Sequence, residues 1–517
     1  MSVKSILLVT TLVLLQACGG GGGSNPPVVT PESSAAAVSS SSNSSSSSVA
    51  LTSSSVSSAV SSSSSVSVAP VSSSASSLSS SSSSFSSSSS QHSETTDIPV
   101  GTADALPVLN LNTDDSAPII SKESYLNGSF TLVDVGTGSA EGTSVAGTLE
   151  VRGRGNSTWG WPKKPYRLKL TNSTSLLGMP ASKHWVLLAN HADKTLMRNN
   201  IAFMLSKSLG MEYTVRNAYV ELHLNGVYQG VYQLAEHIRV DKNRVNIPEL
   251  KVGDTAADKV SGGYLLEVDF RHSKTWCINN SYESFCDGNE NTLLQTDYCI
   301  ESGYGMQPFC VDTPESLMDD AWTPQREYIT QYINDTEAAL FGANFKDSSL
   351  GYNAYLDVDS VINYFLVNEI LRNVDGAVSS FYMYKKRDDK LFFGPVWDFD
   401  LAMGNAGYDD ANNPQGWHIR QKPWFDRLFE DPAFSAKVKT RWLQLKAEGK
   451  LQHIIDYAEA RALWLETQQQ KNFVIWSVTD FDSWIQHVVQ GSYDAEVREL
   501  IRWQRERLEW LDTELTK

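Results

Sequence analysis

The chain has 517 residues, 42 Lys and Arg against 59 Asp and Glu, a formal net charge of −17 and five cysteines. That length and cysteine content exclude a small disulfide scaffold. The acidic balance, −15 from residue 101 onward, opposes general binding to a nucleic-acid backbone unless a local basic cleft exists.

Residues 1–17 read as an export signal, with Lys4 ahead of an apolar run from Ile6 to Leu15. The run is about half of the ~20 apolar residues that span a bilayer. Leu15-Gln16-Ala17-Cys18 resembles the lipobox of bacterial lipoproteins. That resemblance implies diacylglycerol on Cys18 and, with Gly19 rather than Asp next, delivery to the cell surface or outer membrane. Residues 18–97 are Gly and then Ser with scattered Val and Ala, nearly uncharged and with Phe85 as their only aromatic. Such a segment has too little apolar surface to offset the entropy of ordering, and it is expected to be a disordered linker.

From Ala117 to Val245 the pattern is mostly of strands. Gly147 to Arg152 and Pro165 to Leu170 alternate in polarity, and His184 to Leu188 supplies a third strand; these are expected to form one sheet. Asp193 is placed to cap a helix from Thr195 to Leu209, ended by Gly210. Asn225-Gly226 between two alternating runs predicts a type I′ hairpin. Helical periodicity then appears at Pro324 to Leu340 and Val358 to Asn373, followed by strands around Ser380 to Tyr384 and Lys390 to Phe393. Lys437 to Ala447, His453 to Gln468 and Ala495 to Leu515 have apolar residues three and four apart, with Trp442, Leu445, Trp503 and Trp510 as core anchors. Cys277, Cys286, Cys299 and Cys310 predict two disulfides in an exported chain, in any of three pairings.

Three segments suggest phosphoryl transfer. Arg152-Gly153-Arg154-Gly155-Asn156-Ser157, followed by Lys163-Lys164, offers backbone N–H groups and cations to an anion. Asp375 follows the helix that ends near Arg372, and Asp398 and Asp400 follow the second strand of the next hairpin. This is the order of base and metal-binding carboxylate in kinase-like catalytic lobes. Two carboxylates two residues apart in an extended segment point the same way and suit a hard divalent cation. Asn368-Glu369 lies within a helical pattern and reads as structural.

The strings Arg-Gly-Asn-Ser-x-Trp, Lys-Lys-Pro-Tyr-Arg-Leu-Lys, Trp-Val-Leu-Leu-Ala-Asn, Gly-Val-Tyr-x-Leu-x-Glu and Trp-Asp-Phe-Asp occur in this order over roughly residues 115–410. Together they resemble the spore-coat-protein-H (CotH) kinase family. The resemblance implies an α+β, atypical bilobal protein-kinase-like fold with a β-rich N-lobe at 98–245, a C-lobe at 246–420 and a helical C-terminal region at 421–517. It implies ATP and Mg2+ as cofactors and Ser or Thr of exported proteins as acceptors, with no nucleic-acid partner. Carried residue by residue, it makes Asp375 the base, Asp398 a metal ligand supported by Asp400, and Lys164 or Lys169 the phosphate-binding lysine. Arg154, Gly155, Asn156 and Ser157 would cover the nucleotide, and Glu236 would lie near the lobe junction. Ser380 stands where many members have a metal-binding Asn. The alternative is a non-catalytic kinase-fold scaffold or carbohydrate-associated binding protein at the cell surface.

Overall fold

The computed structural model describes residues 103, 105–134, 143–272, 298–480 and 485–517. The export signal, Cys18, the Ser-rich segment, Cys277 and Cys286 lie outside the described residues. Seven strands, β1 (Val108–Thr113), β2 (Leu126–Asp134), β3 (Thr143–Gly153), β4 (Tyr166–Thr174), β5 (Ser182–Leu188), β6 (Asn217–Leu224) and β7 (Val227–Glu236), follow the order β1-β2-β3-β4-β5-β7-β6 and close into a barrel. The expected single sheet is thus curled shut. The closing element is β1, which precedes the region read as strands and pairs parallel with β6, Leu109 opposite Leu222. Alternation supplies the reason. Leu109, Leu111, Phe130, Leu132, Leu149, Val151, Leu168 and Leu170 all face inward and fill the barrel, each contributing about 1.5–3 kcal/mol on burial. Asn225 and Gly226 take φ of 50° and 77°, as the predicted hairpin turn requires.

Helix α1 (Arg198–Ser208) begins three residues later than expected. Asp193 still serves its start, but across a compact turn, accepting from Thr195 N at 3.0 Å and from Arg198 N at 2.8 Å. A second sheet contains β8 (Tyr264–Val268), β9 (Tyr298–Ile300), β10 (Phe309–Thr313), β11 (Phe381–Lys385) and β12 (Leu391–Phe393), in the order β12-β11-β8-β10-β9 and antiparallel throughout. Cys299 lies directly opposite Cys310 and is joined to it by a disulfide.

The helices that follow are α2 (Thr323–Phe341), α3 (Val358–Ile370), α4 (Pro423–Phe429), α5 (Pro432–Ala447), α6 (Lys450–Trp464), α7 (Glu466–Ile475) and α8 (Tyr493–Thr516). Among the described residues none is long and apolar enough to cross a membrane. Trp442, Leu445 and Trp503 are fully buried, as core anchors must be, and Trp510 packs half-buried against the same core. The fold is α+β, but the expected division into two lobes is not drawn. One core joins Val186, Leu188 and Val231 on the outside of the barrel to Leu265 and Phe381 of the second sheet and to Trp442 and Trp503 of the helices. Barrel, sheet and helices therefore belong to one compact unit.

Candidate active site

Helix α3 is started by Asp357, whose carboxylate accepts from Ser360 N at 2.8 Å. Its end is tied off by side chains. Asn368 donates to Tyr364 O at 3.0 Å and accepts from Asn373 Nδ2 at 3.1 Å, and Asn373 Oδ1 accepts from Asp375 N at 3.3 Å. Packing leaves no room at the next position: a Cβ on Gly376 would lie 2.6 Å from Ile419 and 2.9 Å from Asn368 Oδ1. Asp375 is thereby fixed at the end of the helix, one short hairpin before Asp398.

The segment after β12 is not extended at its first carboxylate. Asp398 has φ of 64°, a left-handed conformation that a non-glycine residue keeps only where its surroundings impose it. Asn199 of α1 accepts from Phe399 N at 2.8 Å, Asn405 donates to Asp400 O at 2.7 Å, and Arg198 donates to Ala402 O at 3.0 Å. The expectation of two carboxylates aligned along a strand is corrected: a pinned turn brings them together. Ser380, itself at φ 51°, donates to Asp398 Oδ2 at 3.3 Å.

The charges confirm the proximity. Burial, and then the Asp398 carboxylate, push the Asp375 carboxyl up to about 7, against the opposing pull of Arg271. Burial followed by Asp398 and Asp375 raises Asp400 well above the ordinary carboxylate range. From the other side, Arg154 stacks on Trp397 at 5.3 Å and feels Asp398 and Asp400. Gly155, at φ 85°, lets the loop turn over Thr158, whose Oγ1 would be 1.9 Å from a Cβ. The Asn156 amide lies against Arg271 and accepts from it once its oxygen is turned toward the guanidinium, and Arg271 Nε donates to Asp269 Oδ1 at 2.8 Å. The glycine-rich loop and the carboxylates therefore meet.

The family model described as CotH kinase protein matches residues 151–511, more than two thirds of the chain. The chain belongs to the CotH kinase family. No curated protein matches it. The CotH match begins inside β3 and ends inside α8, so it takes in the C-terminal helices as well as the segments up to about residue 410 that carried the resemblance.

Within this CotH domain the residues expected from sequence do not all converge. Asp375, Asp398, Asp400, Ser380, Arg154 and Asn156 do, and Gly155 and Ser157 belong to the same loop. Lys164 instead donates to Trp159 O at 2.5 Å. Lys169 projects outward from β4 to Glu150 at 2.7 Å. Lys163, the neighbour of Lys164, is fully buried, donating to Val231 O at 2.6 Å and Asn472 Oδ1 at 2.9 Å. Glu236 is engaged by arginines, Arg216 at 2.8 Å and Arg244 at 3.6 Å, and accepts from Tyr213 OH at 3.2 Å. Arg167, Asp269 and Arg271 also stand beside the converging residues, none of them expected there. Arg167 had a legible signal, since it alternates with the inward Tyr166 and Leu168. Asp269 and Arg271 come from a different sheet and carried none.

Proposed function

We propose that this chain is a protein kinase that transfers a phosphoryl group from ATP, with Mg2+, to Ser or Thr of exported proteins, while a lipid on Cys18 holds it at the cell surface or outer membrane. The observation that carries the reading is Asp375 beside Asp398. A general base works best with a pKa near the operating pH, and Asp375 is pushed up to about 7. Mg2+ takes one or two carboxylates and completes its shell with phosphate oxygens and water; Asp398 and Asp400 are the oxygen donors that fit. A divalent cation bound there supplies charge neutralisation for the phosphates. The chain's own residues do the rest: Asp375 takes the proton of the acceptor hydroxyl, Ser380 orients Asp398, and Arg154 faces Asp398 and Asp400 as a phosphate-binding cation.

Calorimetry with a non-hydrolysable ATP analogue, with and without Mg2+, tests the reading. Binding that requires Mg2+ is expected, and its absence at millimolar nucleotide removes the kinase. The scaffold alternative draws on one observation, that neither Lys164 nor Lys169 turns toward the carboxylates.

A further inference from the structure

Both expected lysines are occupied elsewhere, while Arg154 faces Asp398 and Asp400 and Arg271 faces Asp375. Val151, Tyr166, Leu168 and Leu170 point into the barrel, so Arg152 and Arg167 point out of it, and the register places these two directly opposite each other. Like charges directly opposite across two strands are destabilising. Neither guanidinium is fully used: the Nε atoms of Arg152 and Arg167 are buried and have no hydrogen-bond partner among the described residues.

The same face carries His184 on β5, and His237 follows β7 with its ring centroid 6.5 Å from that of His184. Arg244 holds both backbones, donating to His184 O at 2.9 Å and His237 O at 2.6 Å. The rings themselves are left over, since Nδ1 of each is buried and unpartnered among the described residues. Burial first, and then Arg167, Arg154 and His184, push the His237 imidazole well below its ordinary pKa, in keeping with the Arg152–Arg167 register and the His184–His237 ring pair on this face. Carboxylates do reach the group from its flanks, Asp312 and Glu315 toward Arg167 and Asp398 and Asp400 toward Arg154. A buried polar atom without a partner costs about 1–3 kcal/mol, and Arg152 Nε, Arg167 Nε, His184 Nδ1 and His237 Nδ1 are such atoms among the described residues.

We propose that Arg154, Arg167, His184 and His237 seat a polyphosphate chain, with a guanidinium fork in the place of a phosphate-binding lysine. Two guanidinium groups can each grip a phosphate bidentately, and a neutral imidazole with its proton on Nδ1 adds one donor. That the polyphosphate belongs to a nucleotide rests on the kinase reading; that the site takes a polyphosphate does not.

The experiment measures binding of inorganic tripolyphosphate, ATP and adenosine to the full chain, each with and without Mg2+. Arg167→Ala and Arg154→Ala are expected to weaken tripolyphosphate and ATP by about tenfold or more and to leave adenosine unaffected. Arg167→Lys should recover only part of the loss, because an ammonium is a point charge and not a fork. Lys471→Ala, at an ion pair with Glu221, serves as the control, and Arg167→Gln replaces Arg167→Ala if the thermal midpoint of the latter falls. Wild-type affinity in the arginine variants overturns the arginine seat while the kinase reading survives. Tripolyphosphate binding that depends on the arginines, with ATP no tighter, supports the seat and removes the nucleotide. A wild-type chain that binds neither compound at millimolar concentration overturns both.

Discussion

Arg507 of α8 and Glu369 of α3 form an ion pair of 2.6 Å in which neither side chain is more than 1% exposed. The same carboxylate accepts from His418 N and Arg420 N, both at 2.9 Å, and Arg507 NH1 donates to Gly416 O at 2.6 Å. The segment ahead of α4 is thus stitched to the end of α3, and His418 Nε2 lies 3.2 Å from Val374 O, next to Asp375. Arg507→Met removes the partner of a buried carboxylate and should cost about 3–5 kcal/mol in urea unfolding. Adding Glu369→Gln should return part of that, since the stranded charge is gone. A loss below about 1 kcal/mol in the single variant rules out a desolvated pair.

Asp398 and Asp375 should fail differently. Asp398→Ala is expected to weaken Mg2+-dependent nucleotide binding, because it removes an oxygen donor to the cation. Asp375→Ala should leave binding nearly intact and slow phosphoryl transfer by about 10²–10⁴-fold, the range for loss of a general base. Calorimetry beside a phosphotransfer assay on a Ser-rich acceptor separates the two; equal loss of binding in both variants contradicts the division of roles.

Stability should depend on pH through Asp375. Its carboxyl is raised from the ordinary 3.8 to about 7 in the folded chain, so between those values the folded state holds the extra proton and stability falls as pH rises. His418, lowered to about 4 by burial, works in the opposite direction, and so the wild-type curve alone is ambiguous. In metal-free buffer Asp375→Asn should match wild type below pH 4 and become progressively more stable than it up to about pH 8. Parallel melting curves across that range would contradict the raised carboxyl.

Cys18→Ser should abolish lipid attachment, because no other cysteine follows an apolar run. Metabolic labelling with a radioactive fatty acid reads this directly, and equal incorporation in variant and wild type removes the lipid anchor.

What the sequence made legible was local. The alternation of Tyr166 to Leu170, the Asn225-Gly226 turn and the helices around Trp442 and Trp503 depend on neighbours a few residues away, and all appear where expected. Asp375 and Asp398 were legible because one helix end and one hairpin fix their spacing. Barrel closure depends on β1 meeting β6 across more than a hundred residues, and no local pattern encodes that. The lysines misled for a related reason: their charge is visible in the sequence, but Trp159 O and Glu150, which engage them, are contacts of the folded chain.

Closure of the barrel also bears on how copies of the molecule can meet. A closed barrel has no free strand edge, and the edges of the second sheet are β9 and β12, each only three residues long. Beside β12 the chain passes again, with Asp357 N donating to Leu391 O at 3.0 Å and Leu391 N to Tyr355 O at 2.8 Å. Strand addition between molecules needs a long row of open backbone groups, and the described residues present none. An assembly of copies through the described residues is therefore built from side-chain contacts.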